Sequence, residues 1–349
     1  MFTEELRSTK SLPLILCGIA VLVAVIGVVS GSIILYIATL ALISVVFVVG
    51  LFTFSGNSGI MSFGHVAFMA IGAYATAYLT IPAGLKQSMF SSMPEPFAWV
   101  LDLEVSFPVA LLLSGVAAAG LALLTGPAIA RLGGLQAGIA TLSLLLIVFT
   151  VINNWTDVTR GSSSMIGIPQ AVDVWWALGA AVLAIVLAWL YKVSSSGLQL
   201  RASREDAGAA EASGISVGRH RFLAWVLSGF LCGISGSLYA SFLTTFHVSA
   251  FFIAAMFGFV VMIVVGGYLS LSGAVMGTLL ISALQEFLRR VQDGQILGIA
   301  FPPGTAELVL AVILLIVLIV RPLGIMGHRE LGFRRRARGR AAPAVAEKA

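Results

Sequence analysis

The chain has 349 residues, 59% of them hydrophobic and only 10% charged, with 20 Lys and Arg against 15 Asp and Glu for a net charge of +5. Soluble domains carry about 25% charged residues. The composition therefore excludes an ordinary soluble fold and predicts an all-α, polytopic membrane protein with no room for a sizeable soluble domain. The two cysteines, Cys17 and Cys232, both lie in apolar stretches and read as small buried hydrophobes rather than a disulfide or a metal site.

A membrane-spanning helix needs about 20 mostly apolar residues. That ruler predicts about ten spans, over roughly 12–30, 32–52, 64–81, 106–130, 134–152, 172–192, 219–243, 250–268, 270–290 and 304–321. The start, MFTEELRSTK, is acidic as well as basic and leads into the first span without a small-residue cleavage site. It reads as a retained cytoplasmic segment, residues 1–11, rather than a signal peptide. A transmembrane domain over 12–321 and a basic tail over 322–349 complete the plan. With ten spans, Arg7 and Lys10, Arg131, the run from Lys192 to Arg221, and Arg321 with the tail all fall on one side. The positive-inside rule makes that side the cytoplasm, and both termini cytoplasmic. Arg289 and Arg290 object, since they land on the outer side; Glu286, one turn earlier, can pair with either.

No Asp, Glu, Lys or Arg occurs between Ser11 and Leu85, or between Phe222 and Gln285. Inside the first of these blocks lies FSGNSGIMSFGHVAF, residues 54–68, where Gly56, Gly59 and Gly64 stand among Asn57, Ser58 and Ser62. Such a run is a poor helix. It can be an interrupted segment lining a substrate path, since broken helix at membrane depth must be satisfied by protein or a water cavity. It can equally be a turn whose glycines let helices pack closely. His65, the lone ionisable residue of this block, is a functional candidate by position, although a single histidine is more often a neutral, hydrogen-bonded packing residue. His247 reads as interfacial.

The outer segment 82–105 carries Glu95, Asp102 and Glu104 against Lys86 alone. The polar stretch 153–171, with Asp157 and Arg160, can meet a delivery protein or serve as a solvated connector. In the seventh span Gly229, Gly233, Ser237 and Ser241 recur every four residues and make one small-residue helix face, for packing within the chain or between subunits. Gly266, Gly267, Gly273 and Gly277 mark tight turning between the eighth and ninth spans.

The loop Ser194–Arg221 interrupts the lipid-like pattern. Ser203 followed by Asp206 resembles a capping box, alanines follow, and Gly214 suits a left-handed stop. A short helix over roughly 204–213 is expected, slim enough to enter a groove on a partner or to lie on the membrane surface. The tail carries Arg329, Arg334, Arg335, Arg336, Arg338, Arg340 and Lys348 against Glu330 and Glu347. It has no aromatic interleaving, which argues against nucleic acid and for anionic lipid. The sequence contains no Walker A pattern, no H-E-x-x-H, no nucleophile elbow and no paired metal ligands. The chain reads as a non-enzyme without a cofactor. An ion-coupled transporter would need an internal coupling site, and few buried charges are available to build one.

Three stretches carry a family resemblance. GNSGIMSFGHVAFMAIGAYATAYL (56–79), SGLQLRASREDAGAAEASGISVGRHRFLAWVLSGFLCGISGSLYA (196–240) and VVGGYLSLSGAVMGTLLI (264–281) resemble the early glycine-rich signature, the cytoplasmic coupling loop with its following helix, and the late Gly-Gly segment of branched-chain amino-acid permeases of ABC importers. The resemblance implies a permease subunit in a bacterial inner membrane. It would work with a second related permease, two ATP-hydrolysing subunits and a periplasmic or lipid-anchored solute-binding protein, and move branched-chain or related small amino acids. The same architecture also serves urea, short amides and other small organic solutes. Onto matching positions the resemblance places Arg201, Arg204, Glu205, Asp206, Glu211 and Gly214 in the coupling loop. It places Asn57, Ser58, Gly59, Ser62, Gly64 and His65 in the core and the path. Met61, Phe63, Val66 and Ser213 depart mildly from the family's usual Leu or Ala.

Overall fold

The computed structural model describes residues 11–90, 93–294, 298, 301–302, 304–321, 324–327 and 330–331, without the side chains of Glu307, Leu314 and Leu318. The expectations for residues 1–10, and for nearly all of the basic tail, fall outside the described residues.

The described chain is helical, with one isolated antiparallel bridge between Met165 and Phe246. Its helices are α1 (Ser11–Val29), α2 (Ser32–Ser58), α3 (His65–Thr80), α4 (Ala83–Met89), α5 (Phe107–Ile129), α6 (Gly134–Asn154) and α7 (Thr156–Thr159). They continue as α8 (Val174–Val193), α9 (Ser195–Ala202), α10 (Ala207–Ala212), α11 (Val217–Leu243), α12 (Ile253–Gly266), α13 (Leu271–Gln292) and α14 (Thr305–Val320). Among the described residues, 8 are long and apolar enough to cross a membrane, α12 counting with the short 3-10 turn before it, and 9 if α3 and α4 make one bent span. The protein is thus an all-α, multi-pass membrane protein. Each of the ten expected apolar segments coincides with a helix, but α3 and α14 have only 16 residues. The chain bends by 117° between α3 and α4. The cause is local: Ile81, before Pro82, takes the extended conformation that a following proline imposes.

Apolar side chains give no net driving force between helices in lipid, so close contact depends on small residues and buried hydrogen bonds. Helix α11 shows this best, lying between α2, α3 and α5. The Gly229 and Gly233 face leans on α5: a methyl group at Gly229 would meet Ala122 Cβ at 2.8 Å, and one at Gly233 would meet the Ser114 carbonyl at 2.9 Å. Ser237 bonds Thr76 at 2.7 Å, and Thr76 bonds Ser114 at 2.7 Å, so three buried hydroxyls join α11, α3 and α5. Ser241 is fully buried beyond them. On another face, Gly236 touches the Met69 carbonyl of α3, and Ser235 Oγ donates to the Ile43 carbonyl of α2 at 3.0 Å.

The turn between α12 and α13 closes through glycine contacts, where Gly266 and Gly277 each pack on the facing backbone. Gly267, at φ +117°, takes a conformation that side chains disfavour. Cys232 is buried and Cys17 half-buried, both as free thiols.

One end of the bundle gathers several chain reversals. Arg204 Nη1 reaches the Gly56 carbonyl at 3.4 Å, and Arg221 Nη1 donates to the Leu132 carbonyl at 2.9 Å. Lys192 pairs with Glu330 beside the start of α13. The loop 194–216, the turn 59–64, the turn after α5, the start of α13 and the chain at Glu330 therefore share this end. The Arg289–Arg290 pair lies near the far end of α13, about 28 Å from its start at 1.5 Å per residue. Arg290 Nε donates to Glu286 at 2.9 Å. Lys86 belongs to the segment 82–105. It is completely buried and its Nζ donates to the carbonyls of Tyr78 (2.9 Å), Val100 (3.1 Å) and Leu103.

Candidate functional site

Three places could carry function: the charged loop, the buried turn beneath it, and a cavity at the opposite end.

The loop folds as two short helices rather than one. Ser203 does not start a helix but ends α9, its Oγ donating to the Leu200 carbonyl at 2.8 Å. The expected helix over 204–213 is thus shortened to Ala207–Ala212. Asp206 is itself the N-cap: its carboxylate accepts from the Ala209 N–H at 2.9 Å. An acid at the cap serves both the orphan amides and the helix dipole, so it outcompetes the serine three residues earlier. Gly214, at φ +85°, follows the helix end. Its N–H donates to the Glu211 carbonyl at 2.9 Å, and the Ile215 N–H reaches the Ala210 carbonyl at 3.0 Å.

The loop side chains divide by role. Glu205 is exposed, with its carboxylate 3.4 Å from Arg204 Nε. Glu211 is exposed as well. Arg201 donates to the Lys192 carbonyl at 3.3 Å. Arg204 faces inward: its stem lies over Gly59, where an added methyl group would collide with it. Gly59, at φ +73°, is the C-cap of α2. The loop is therefore seated directly on the end of α2.

Below it, α2 runs unbroken through Gly56, Asn57 and Ser58, although that run is a poor helix former. Burial decides the outcome. Asn57 and Ser58 are shielded from solvent, and Asn57 Nδ2 donates to the Thr53 carbonyl at 2.9 Å within the helix. The break is confined to residues 59–64, most of whose N–H groups are paired within the protein. The Ser62 N–H reaches Ser55 Oγ at 3.3 Å, and the Phe63 N–H reaches Thr141 Oγ1 at 3.1 Å. Gly64 packs on the Thr141 backbone so closely that a side chain would not fit. His65 begins α3 and is buried; its Nδ1 lies 2.7 Å from Ser62 Oγ and its Nε2 bonds Ser228 Oγ. Phe54, Phe68 and Trp225 surround the ring. Both ring nitrogens are thus satisfied by hydroxyls in an aromatic shell, an arrangement that holds a neutral imidazole. The six positions Asn57, Ser58, Gly59, Ser62, Gly64 and His65 lie in one joint, with a side-chain atom, Asn57 Oδ1, buried and unbonded.

The start of α13 is tied to the loop end by Glu330. Its carboxylate accepts from the Leu271 N–H (2.9 Å), the Ser272 N–H (3.0 Å) and Ser272 Oγ (2.5 Å), and pairs with Lys192, whose ammonium stands 6.0 Å from the Phe52 ring centroid. Burial pushes the Glu330 carboxyl up, but the Lys192 ammonium and these hydrogen bonds together hold it below the usual carboxylate value. The tail sequence alone gave no reason to single out this residue among its basic neighbours.

At the other end of α13 a cavity of about 450 Å³ opens between α2, α3, α11, α12, α13 and α14. Its deep wall includes Ile43, Met69, Phe259 and Met262. Toward the mouth α13 supplies Ser282, Gln285, Glu286, Arg289, Gln292 and Asp293. Sequence reasoning missed this site. The available signal was the spacing of these six residues, which is that of a single helical stripe. Among the described residues no cluster of His, Cys, Asp or Glu is arranged to hold a metal ion.

Comparison with known proteins agrees with this architecture. Residues 33–318 match the family model described as branched-chain amino acid transport system / permease component. The high-affinity branched-chain amino acid transport system permease protein LivM of Escherichia coli is 25% identical over 83% of this chain and 69% of its own length. The probable branched-chain amino acid transport permease protein LivH of Methanocaldococcus jannaschii is 27% identical over 54% of this chain and 63% of its own length. A third relative, the ribose import permease protein RbsC of Haemophilus influenzae, is 25% identical over 72% of this chain and 82% of its own length. No solved structure matches the chain at the same stringency.

Proposed function

The chain belongs to the family of permease components of branched-chain amino acid transport systems, and on that premise we propose that it imports branched-chain or related small amino acids, driven by ATP hydrolysed on separate subunits. It is a transport permease of an ABC system rather than an enzyme. In the proposed assembly it pairs with a second related permease, two ATPase subunits and a periplasmic or lipid-anchored solute-binding protein. The loop 194–221 faces the cytoplasm together with both termini.

The observation that carries the reading is the seat of the loop. Helix α10 and the exposed Glu205 and Glu211 project from a base that is locked to the end of α2 by Arg204 and, through Arg221 at the start of α11, to the turn after α5. A push on α10 is therefore delivered to helix ends and not absorbed by a slack connector. Arg201, Arg204, Asp206 and Gly214 build this base, while Glu205 and Glu211 are available to a docking ATPase. The joint Asn57–His65 is the first internal structure the push meets.

The test is reconstitution. Vesicles holding this chain with its sister permease and ATPases, supplied with the binding protein, are expected to accumulate leucine or isoleucine only with ATP. Accumulation by this chain alone would overturn the reading. Accumulation of ribose in place of the amino acids would move the substrate toward that of the ribose relative.

A further inference from the structure

We propose that the cavity at the far end of α13 receives the zwitterionic head of an aliphatic amino acid, with Arg289 taking the carboxylate and Asp293 the ammonium. This rests on the permease reading and deepens it by naming a substrate-contacting site.

The argument starts from α13 itself. The residues of α13 and its C-cap that line the cavity are 282, 285, 286, 289, 292 and 293, which step by three and four and fall on one stripe. The opposite side of the helix exposes Met276, Leu280 and Phe287, as a lipid-facing or protein-facing surface would. A membrane helix that turns its polar stripe inward does so toward a water-filled cavity, since ionisable groups in lipid are otherwise too costly.

The stripe is specific in its charges. Glu286 is already committed to Arg290. Arg289 and Asp293, one turn apart at the mouth, have no ion-pair partner among the described residues, and both are exposed to the opening. One cation and one anion within a single turn suit a ligand that itself carries both signs. An uncharged sugar or amide needs neither, and a simple anion would be repelled by the carboxylate. Depth then selects the side chain: Ile43, Met69, Phe259 and Met262 offer apolar contact below the charged rim. A volume of about 450 Å³ falls within the range of small-ligand pockets. It admits an amino acid and its accompanying water.

The test uses the full-length chain in lipid nanodiscs, with Cys17→Ser to remove the half-buried thiol and Ser44→Cys as a reporter on the α2 wall of the cavity. A small thiosulfonate reagent modifies the reporter. L-leucine at millimolar concentration is expected to slow modification severalfold. Loss of one charged contact should cost about tenfold in potency, so 4-methylpentanoate, which lacks the ammonium, and 3-methylbutylamine, which lacks the carboxylate, should each protect about tenfold less well. Arg289→Gln should remove the advantage of leucine over the amine, while Arg289→Lys keeps most of it and shows that the fold tolerates change there. Equal protection by leucine and its two analogues, full protection in Arg289→Gln, or no protection by leucine would each overturn the inference. Leucine uptake by the complete assembly is measured separately. Uptake without protection sinks the site alone, and absence of any amino-acid uptake sinks the function on which it rests.

Discussion

Replacing Glu330 with Gln tests how the loop end is joined to α13. The carboxylate accepts three hydrogen bonds from Leu271 and Ser272 and neutralises Lys192; the two side chains are 19% and 7% exposed. Removing one member of a buried pair costs about 3–5 kcal/mol, because the remaining charge stays desolvated. Glutamine keeps one acceptor oxygen, enough for the Ser272 or the Leu271 amide but not both, which places Glu330→Gln near the lower bound, about 3 kcal/mol. At roughly 2–4 °C per kcal/mol for a chain of this order of size, the melting midpoint in detergent should fall by about 6–12 °C. In Lys192→Met/Glu330→Gln the stranded charge is gone, so the double variant should be more stable than the sum of its single changes. Acid adds a second signature. A carboxyl held below its ordinary value of 4.5 contributes stability above that value and loses it as pH falls through the depressed one. Wild type should therefore lose stability below about pH 4.5, and Glu330→Gln should lack that part of the loss. A midpoint unchanged within 1 °C (about 0.5 kcal/mol or less), or strictly additive single changes, would refute the clasp.

Further expectations concern the loop, the packing and the outer segment. Glu205→Lys, at an exposed position, should weaken co-purification with the ATPase subunits without changing the melting midpoint; unchanged co-purification and transport would remove Glu205 from the docking surface. Asp206→Ala should cost about 1 kcal/mol as a lost cap, whereas Asp206→Asn, which can still cap, should not; equal losses would mean that the charge and not the cap matters. Gly236→Ala should lower the melting midpoint by an amount equivalent to about 1–3 kcal/mol, because its methyl group meets the α3 backbone. Gly120→Ala, with nothing within 4 Å, should be neutral or gain up to about 1 kcal/mol from helix propensity. Lys86→Met should remove the ammonium donor from three part-buried carbonyls, of which Val100 keeps the Leu103 N–H, and cost about 3 kcal/mol, read as faster proteolysis within 82–105.

Several elements were plain from residue order because the bilayer enforces them. Lipid offers no hydrogen bonds, so a long apolar run must be helical wherever it is placed. That alone gives the spans from α1 to α13 to within about three residues, except that α2 runs on to Ser58, past its expected end at 52. The family resemblance was legible for a related reason: the glycines at 56, 64 and 266 are demanded by close backbone contacts and those at 59 and 267 by positive φ, and those demands leave a pattern. Local rules failed where two of them competed. Ser203 and Asp206 both suit a cap, and the winner depended on where α9 stopped. The run Gly56–Ser58 should break a helix by propensity, yet α2 continues through it, because inside the bundle the helix is the conformation that satisfies its own backbone.

The order of amino acids thus determined the class, the approximate number of spans, the charged loop and the family, since each follows from composition or from short-range spacing that solvent and lipid read directly. The tertiary structure decided which far-apart residues meet: Arg204 with Gly56, Lys192 with Glu330, His65 with Ser228, and the α13 stripe with the apolar walls of α2 and α12. These partners stand 138 or more residues apart for each named pair. No local propensity encodes such distances; they are fixed only when small residues such as Gly72, Gly233 and Gly236 let the helices close on one another.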